Sequence, residues 1–222
     1  GGSGALYAVS GSNTFAGPIT LAADSTIGVA ASLSLTLNGA IGGGFSLTKA
    51  GSGRLALAGT TPYTYSGATL VNEGTLALIS LATIPNTPVI DVVAGASLDV
   101  SALAGGFILG ATTSQTLKGG GIVNGDVIAQ GLGRLEPGAS PGTLTFLNNL
   151  TQAKGVTNLF ELTNSVAIGG GTNDLIVVGG NLTLVGNVIA ITVLGSDPLG
   201  GGTYRLFNYA GSKTGSFNPA PA

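Results

Sequence analysis

The sequence predicts an all-β chain and favours a parallel β-helix over an antiparallel sandwich. Three observations carry this reading. Short stretches of alternating apolar and polar residues recur, each closed by a Gly, Asn or Asp turn. Helix signals are nearly absent: Glu, Lys, Gln and Arg are scarce, and the glycines leave no apolar i, i+3, i+4, i+7 stripe intact. The inward residues are small (Ala, Val, Leu, Ile), which suits a narrow core whose layers stack about 4.8 Å apart.

The strand-turn units run the length of the chain: GRLALAG, GATLVNEGTLAL, GASLDVSAL, GTLTFLNN, GGNLTLVGN and GGTYRLFNY. Within them Leu55 and Leu57, Leu76 and Leu78, and Leu182 and Leu184 point the same way, because side chains alternate along a strand. Gly, Asn and Asp at the corners reach left-handed or bridge conformations at little cost. Near the start the pattern repeats itself. YAVSGSNTFAGPITLAADSTIGV (Tyr7 to Val29) aligns with LALAGTTPYTYSGATLVNEGTLAL (Leu55 to Leu78), with two single-residue slips and an offset of 48 to 50 residues. That offset fits two or three turns of a solenoid. The Gly74-Thr75-Leu76 unit also returns as Ala96-Ser97-Leu98 after 22 residues. Such units bury their apolar faces by stacking on one another. A leucine-rich repeat would show an Asn or Cys ladder and a helical half, and neither appears. A sandwich stays compatible, since its turns also come every 8–12 residues or so. At roughly 20 residues per coil the chain would make about ten coils, a rod on the order of 50 Å long.

Composition bounds the chemistry. The 222 residues include 40 Gly, and only 7% are charged, against about 7% Gly and about 25% charged in an average domain. With 44% hydrophobic residues and a mean hydropathy of +0.52, the chain can build a core. A net charge of −2 is too little positive charge to hold a run of phosphates, so nucleic acid is not an expected partner. His, Cys, Met and Trp are all missing. Without His and Cys there are no Ser-His or Cys-His nucleophile pairs, no disulfides and no ordinary zinc site. The lack of Met marks the chain as a processed product or an excised piece. Ser25 to Thr48 is uncharged, yet SLSLTLNG alternates with period two and four glycines follow, as in a strand rather than a lipid-facing helix. No signal peptide opens the sequence.

GSGRLALAGTTPYTYSGATLVNEGTLAL (Gly51 to Leu78) resembles the autotransporter-associated β-strand repeat of bacterial passenger proteins. The pattern G-x-G-x-L-x-L-x-G, then N-x-Y-x-G-x-T, then an apolar strand and N-x-G-x-L, is filled by Gly51, Gly53, Leu55, Leu57, Gly59, Tyr65, Gly67, Thr69, Asn72, Gly74 and Leu76. Pro62-Tyr63 departs from it, near a usual Asn. LKGGGIVNGDVIAQGLGRLEPGASPGTLTF (Leu117 to Phe146) is similar to the family's later Pro-Gly element, at Pro137, Gly138, Ser140, Pro141, Gly142, Thr143 and Leu144. The resemblance implies a right-handed parallel β-helix, secretion across a bacterial envelope, coil-by-coil folding during export and a surface-exposed adhesive or structural role, with no shared catalytic residues.

Candidate sites each have a plainer reading. Gly169-Gly170-Gly171-Thr172-Asn173-Asp174-Leu175-Ile176 nearly matches a calcium-binding nonapeptide, but Thr172 replaces a required Gly and no second copy follows. It reads as a turn entering the strand Leu175 to Val178. Gly51-x-Gly53-x-x-Ala56 loosely fits a dinucleotide fingerprint, which needs a helix that RLALAG does not make. Of the carboxylates, Asp91 and Asp99 share one strand-turn-strand segment, while Glu73, Asp126, Glu136 and Asp174 are scattered. The grouped acids of β-helical polysaccharide-cleaving enzymes are not expected here. Tyr63 and Tyr65 stand two apart, so in a strand they would project from the same face, and Tyr204, Phe207 and Tyr209 cluster near the end. They read as core fillers or caps rather than sugar-stacking residues. Asn149-Leu150-Thr151 and Asn181-Leu182-Thr183 are glycosylation sequons, meaningful only in a eukaryotic secretory pathway.

The start, GGSGALYAVSGSN, offers no charge, Pro or bulge to blunt an open edge, while the end carries Lys213 and two late prolines, Pro219 and Pro221. The sequence therefore reads as a single β-helix over 1–222, with 7–78 carrying the duplication and 117–146 the Pro-Gly element. The expected function is a non-catalytic extracellular structural or adhesive rod, with no catalytic, cofactor or metal residues. Its partners would be a cell-surface or glycan receptor. A filament subunit stacking head to tail on its own copies is the alternative, and a carbohydrate-active β-helix a distant third.

Overall fold

The computed structural model describes residues 4–218, so Pro219 and Pro221 of the expected closing segment lie outside the described residues. The strands fall into nine coils. They are β1 (Leu6–Ala8), β2 (Ser12–Phe15) and β3 (Ile19–Leu21); β4 (Ser25–Val29), β5 (Ser34–Leu37) and β6 (Ile41–Gly43); β7 (Leu47–Ala50) and β8 (Arg54–Leu57); β9 (Thr69–Val71) and β10 (Thr75–Leu78); β11 (Val89–Val92), β12 (Ser97–Asp99) and β13 (Phe107–Leu109). Then come β14 (Gln115–Gly119), β15 (Ile122–Asn124) and β16 (Val127–Ala129); β17 (Gly133–Pro137), β18 (Thr143–Phe146) and β19 (Leu150–Gln152); β20 (Thr157–Leu162), β21 (Leu175–Val178) and β22 (Leu182–Val185); and β23 (Val188–Val193), β24 (Phe207–Tyr209) and β25 (Lys213–Ser216).

All named strand pairs are parallel, and each strand pairs with its counterpart one coil away. The first strands of the coils make one nine-stranded sheet and the second strands another. The third face is split into β3-β6 and β13-β16-β19-β22-β25. This is a right-handed parallel β-helix, with no helix among the described residues. Nine layers about 4.8 Å apart make a rod about 40 Å long, slightly shorter than the sequence arithmetic implied.

Register explains the cohesion. Leu35 pairs with Leu55, then Leu76, Leu98, Val123 and Phe146 up the second sheet. Leu55, Leu76, Leu98, Val123 and Phe146 are completely buried. Each layer thus covers the apolar side chain below it, and burying one Leu stabilises by roughly 1.5–3 kcal/mol. The uncharged stretch from Ser25 to Thr48 supplies β4 to β6 and enters β7.

The coil period is 21 or 22 residues over the first coils: Leu6 pairs with Ile27, Ile27 with Lys49, Lys49 with Val71 and Val71 with Val92. Thr75 pairs with Ser97 and Leu76 with Leu98, so the 22-residue echo is one coil. The 48-to-50-residue alignment is not in coil register. It sets Tyr7 of β1, in the first sheet, against Leu55 of β8, in the second. Strand-turn units on different faces look alike because each has the same alternation and the same Gly corner. Later coils vary, from 18 residues between Leu117 and Leu135 to 32 between Leu144 and Ile176, and the surplus leaves the ladder as loops.

Glycine is required at the corners of the repeat. Gly74 has φ +61°, and a Cβ there would stand 2.5 Å from the Gly53 carbonyl oxygen of the coil below. No β-carbon survives both constraints.

Candidate functional site

The carboxylates are spread along the rod and serve its corners. Asp91 lies on β11 and Asp99 on β12, which belong to different sheets. Asp91 sits in an outward row where it pairs with Lys118, which in turn pairs with Glu136; Lys118 Nζ and Glu136 Oε1 are 3.8 Å apart. Asp99 accepts from the Ser101 hydroxyl (2.7 Å), the Ser101 amide (3.2 Å) and Asn124 Nδ2 (3.1 Å). Burial works to raise its pKa, but these donors and Arg54 outweigh it and hold the carboxyl below the ordinary value. No group of three or more Asp and Glu that could hold a metal ion occurs among the described residues.

Asp174, the acid of the nonapeptide-like segment, is 1% exposed. Its Oδ1 accepts from the Gly142 amide and its Oδ2 from the Glu161 amide, both at 2.7 Å. It therefore clamps the Pro-Gly turn, where Gly138 and Ser140 take φ +83° and +82°, to the neighbouring coil. Burial pushes its pKa up to about 6, against the pull of the two amides. Gly169 to Gly171, all at positive φ, form the turn ahead of it. Asn173 beside it is also buried, its Nδ2 donating to the Ser165 and Ala167 carbonyls at 2.7 Å each. Both groups are structural.

Asn149 and Asn181 of the two sequons belong to a ladder. The Asn149 amide donates to Asp126 Oδ1 (3.1 Å), the Asn181 amide to Asn149 Oδ1 (2.8 Å) and the Ser212 amide to Asn181 Oδ1 (2.9 Å). Asp24 accepts from the Ser46 amide in the same way at 2.8 Å. Each side chain closes a corner amide of the following coil, a use that the Gly-Asn-Asp corner pattern implied only as turn propensity.

The tyrosines of the repeat fill the core. Tyr63 is 0% and Tyr65 1% exposed. The Tyr63 hydroxyl accepts from the Gly59 amide (2.7 Å) and donates to the Leu37 carbonyl (2.9 Å). Tyr65 shares a 2.6 Å hydrogen bond with Thr69 Oγ1, which continues at 3.1 Å to Thr87 Oγ1. Burial raises both phenol pKa values. At the far end Phe207 packs edge-on to Phe160 (ring centroids 5.4 Å) and against Phe217 (5.5 Å). Tyr204 packs partly buried against the core, and Tyr209 is 42% exposed.

Lys49 was not singled out in the sequence, although its spacing from Leu47 puts it on the same inward face. It stands in an inward row between Ile27 and Val71 and is 0% exposed. Its Nζ donates to the carbonyls of Ala50, Gly51 and Glu73 at 3.0, 2.5 and 3.1 Å. Burial lowers its pKa to about 8, with Glu73 opposing. Gln152 and Asn158 likewise interrupt apolar rows; Gln152 Oε1 accepts from Asn158 and Asn187, both at 2.7 Å.

What remains for partners is the outer surface. Outward rows are set in register by the ladder, as in Thr151, Thr183 and Thr214 on the third face, where the last two hydroxyls lie 3.2 Å apart. A row of identical groups one layer apart offers repeated weak contacts to an extended ligand, and nothing in it resembles a nucleophile-base pair.

Residues 47–78, which span β7 to β10, match the family model of the passenger-associated-transport-repeat. A curated relative, the adhesin BmaC autotransporter of Brucella suis biovar 1 (strain 1330), is 45% identical over 84 residues. That match covers 37% of this chain and 2% of the relative. No solved structure matches the chain.

Proposed function

From a chain that carries an autotransporter passenger repeat on a parallel β-helix, we propose a non-catalytic, adhesive segment of a bacterial autotransporter passenger, displayed outside the cell. The observation that carries this is the coincidence of the matched repeat with four consecutive ladder strands, β7 to β10, in a chain also 45% identical over 84 residues to an autotransporter adhesin. Residues 1–222 act as one β-helical stretch of that passenger. The stacked layers give a stiff rod, and the outward Thr, Ser and Asn rows meet a cell-surface or glycan receptor through many weak contacts. The placement of the carboxylates supports the non-catalytic reading: Asp99, Asp126 and Asp174 are engaged with backbone amides.

The test is binding of the purified chain, coupled to beads, to epithelial monolayers and to a glycan array. Saturable binding that drops when Thr151, Thr183 and Thr214 are replaced together by Lys is expected. Absence of binding to every surface, or turnover of an acidic polysaccharide by the chain, overturns the proposal.

A further inference from the structure

Asn followed by Gly occurs twice in the chain, at Asn38-Gly39 and Asn124-Gly125. In such a pair the main-chain nitrogen of the glycine can attack the side-chain carboxamide before it, because no β-carbon crowds the approach. Asn38 directly follows β5 and Asn124 ends β15, so both stand where the chain leaves the second sheet.

The register gives the two pairs different surroundings. Asn124 pairs with Asp99 of the coil below, and its Nδ2 donates to Asp99 Oδ1 at 3.1 Å. Gly125 is buried, and its amide donates to Asn148 Oδ1 of the coil above at 3.0 Å. Both reacting groups of this pair are held. Asn38 comes one residue after Leu37, which pairs with Phe15 below and Leu57 above. Its neighbours along that row are therefore Ala16 and Ala58, whose side chains cannot bond a carboxamide. Asn38 is exposed, and among the described residues neither its carboxamide nor the Gly39 amide has a hydrogen-bond partner.

We propose that Asn38 is a site of spontaneous deamidation, while the same dipeptide at Asn124 is protected by its bonds to neighbouring coils. The Gly39 nitrogen gives up its proton and bonds to Asn38 Cγ. The Cγ–Nδ2 bond breaks, and the leaving nitrogen takes up one proton and departs as ammonia. Water then opens the succinimide at either carbonyl, leaving aspartate or isoaspartate. Each conversion makes the net charge of −2 one unit more negative, on a chain of which only 7% is charged. The rod thereby records its age as surface charge, whatever it binds.

The test incubates the full chain at mildly alkaline pH and follows both peptides by mass spectrometry, with chromatography that resolves aspartyl from isoaspartyl forms. Asn38 should convert at least about tenfold faster than Asn124, because the protected pair must first break two hydrogen bonds. Conversion should quicken as pH rises, since the attacking nitrogen must lose its proton. In urea, where the coils are gone, the two rates should converge. Asn148→Ala, at an exposed position, frees the Gly125 amide and should speed conversion at Asn124 while leaving Asn38 unchanged. Equal rates in the folded chain, or a difference that persists in urea, overturns the proposal. An Asn124 rate unmoved by Asn148→Ala overturns the protective role given to that bond.

Discussion

Arg54 on β8 reaches across β10 to Asp99 on β12, its Nη2 lying 3.6 Å from the carboxylate Oδ2 two coils away. Ala56 and Ala77, partners in register on β8 and β10, are both 0% exposed although they stand on the outer row. With the two side chains 39% and 21% exposed, the pair is a modest stabiliser. A double-mutant cycle with Arg54→Ala and Asp99→Ala should give a coupling of about 0.5–1 kcal/mol at neutral pH. The Asp99 carboxyl is held below its ordinary value in the folded chain. Its contribution is therefore present above about pH 4 and lost as pH falls through the folded value. Urea midpoints of the four variants at pH 7 and pH 3 check this, with the coupling expected to shrink at the lower pH.

Lys49 predicts a rise of stability in alkali. Its folded pKa of about 8 lies below the ordinary Lys value of about 10.4, so between these the unfolded chain holds a proton that the folded chain lacks. The melting temperature should climb from pH 8 to pH 10 and stay level over that range in Lys49→Met. Lys49→Ala removes three hydrogen bonds and leaves a cavity, and should cost about 2–4 kcal/mol in urea denaturation.

Asp174 predicts the reverse slope in acid. Its pKa of about 6 in the folded chain exceeds the ordinary value of about 4, so the folded state holds the proton more tightly. The contribution is full below about pH 4 and is lost as pH rises through 6. Asp174→Asn should flatten the stability profile between pH 4 and 6.

The two core tyrosines predict different losses. Tyr63→Phe orphans the buried Gly59 amide, while the Leu37 carbonyl keeps the Ala58 amide, and should cost about 2 kcal/mol. Tyr65→Phe leaves Thr69 still bonded to Thr87 and should cost about 1 kcal/mol. Guanidinium midpoints at pH 7 separate the two.

The strands were legible because their alternation was strict: Leu55 and Leu57, Leu76 and Leu78, and Leu182 and Leu184 all face inward as the period-two pattern requires. Local pattern identifies a strand but not its face, and so Tyr7 could be aligned with Leu55 although the two lie in different sheets. Tyr63 and Tyr65 were readable as core fillers. The inward placement of Lys49 follows from its spacing from Leu47, but what satisfies Lys49, Gln152 and Asn158 there was not readable, since their partners are carbonyls and amides contributed by turns and neighbouring coils.

The corner ladder from Asp126 through Asn149 and Asn181 to Ser212 runs one way: the acceptor always belongs to the earlier winding and the amide to the later one. Removing windings from the carboxyl side would leave side-chain oxygens for water to donate to, and removing them from the amino side would leave main-chain N–H groups for water to accept from. The ladder thus gives the rod a chemical polarity, acceptors looking toward one extremity and donors toward the other.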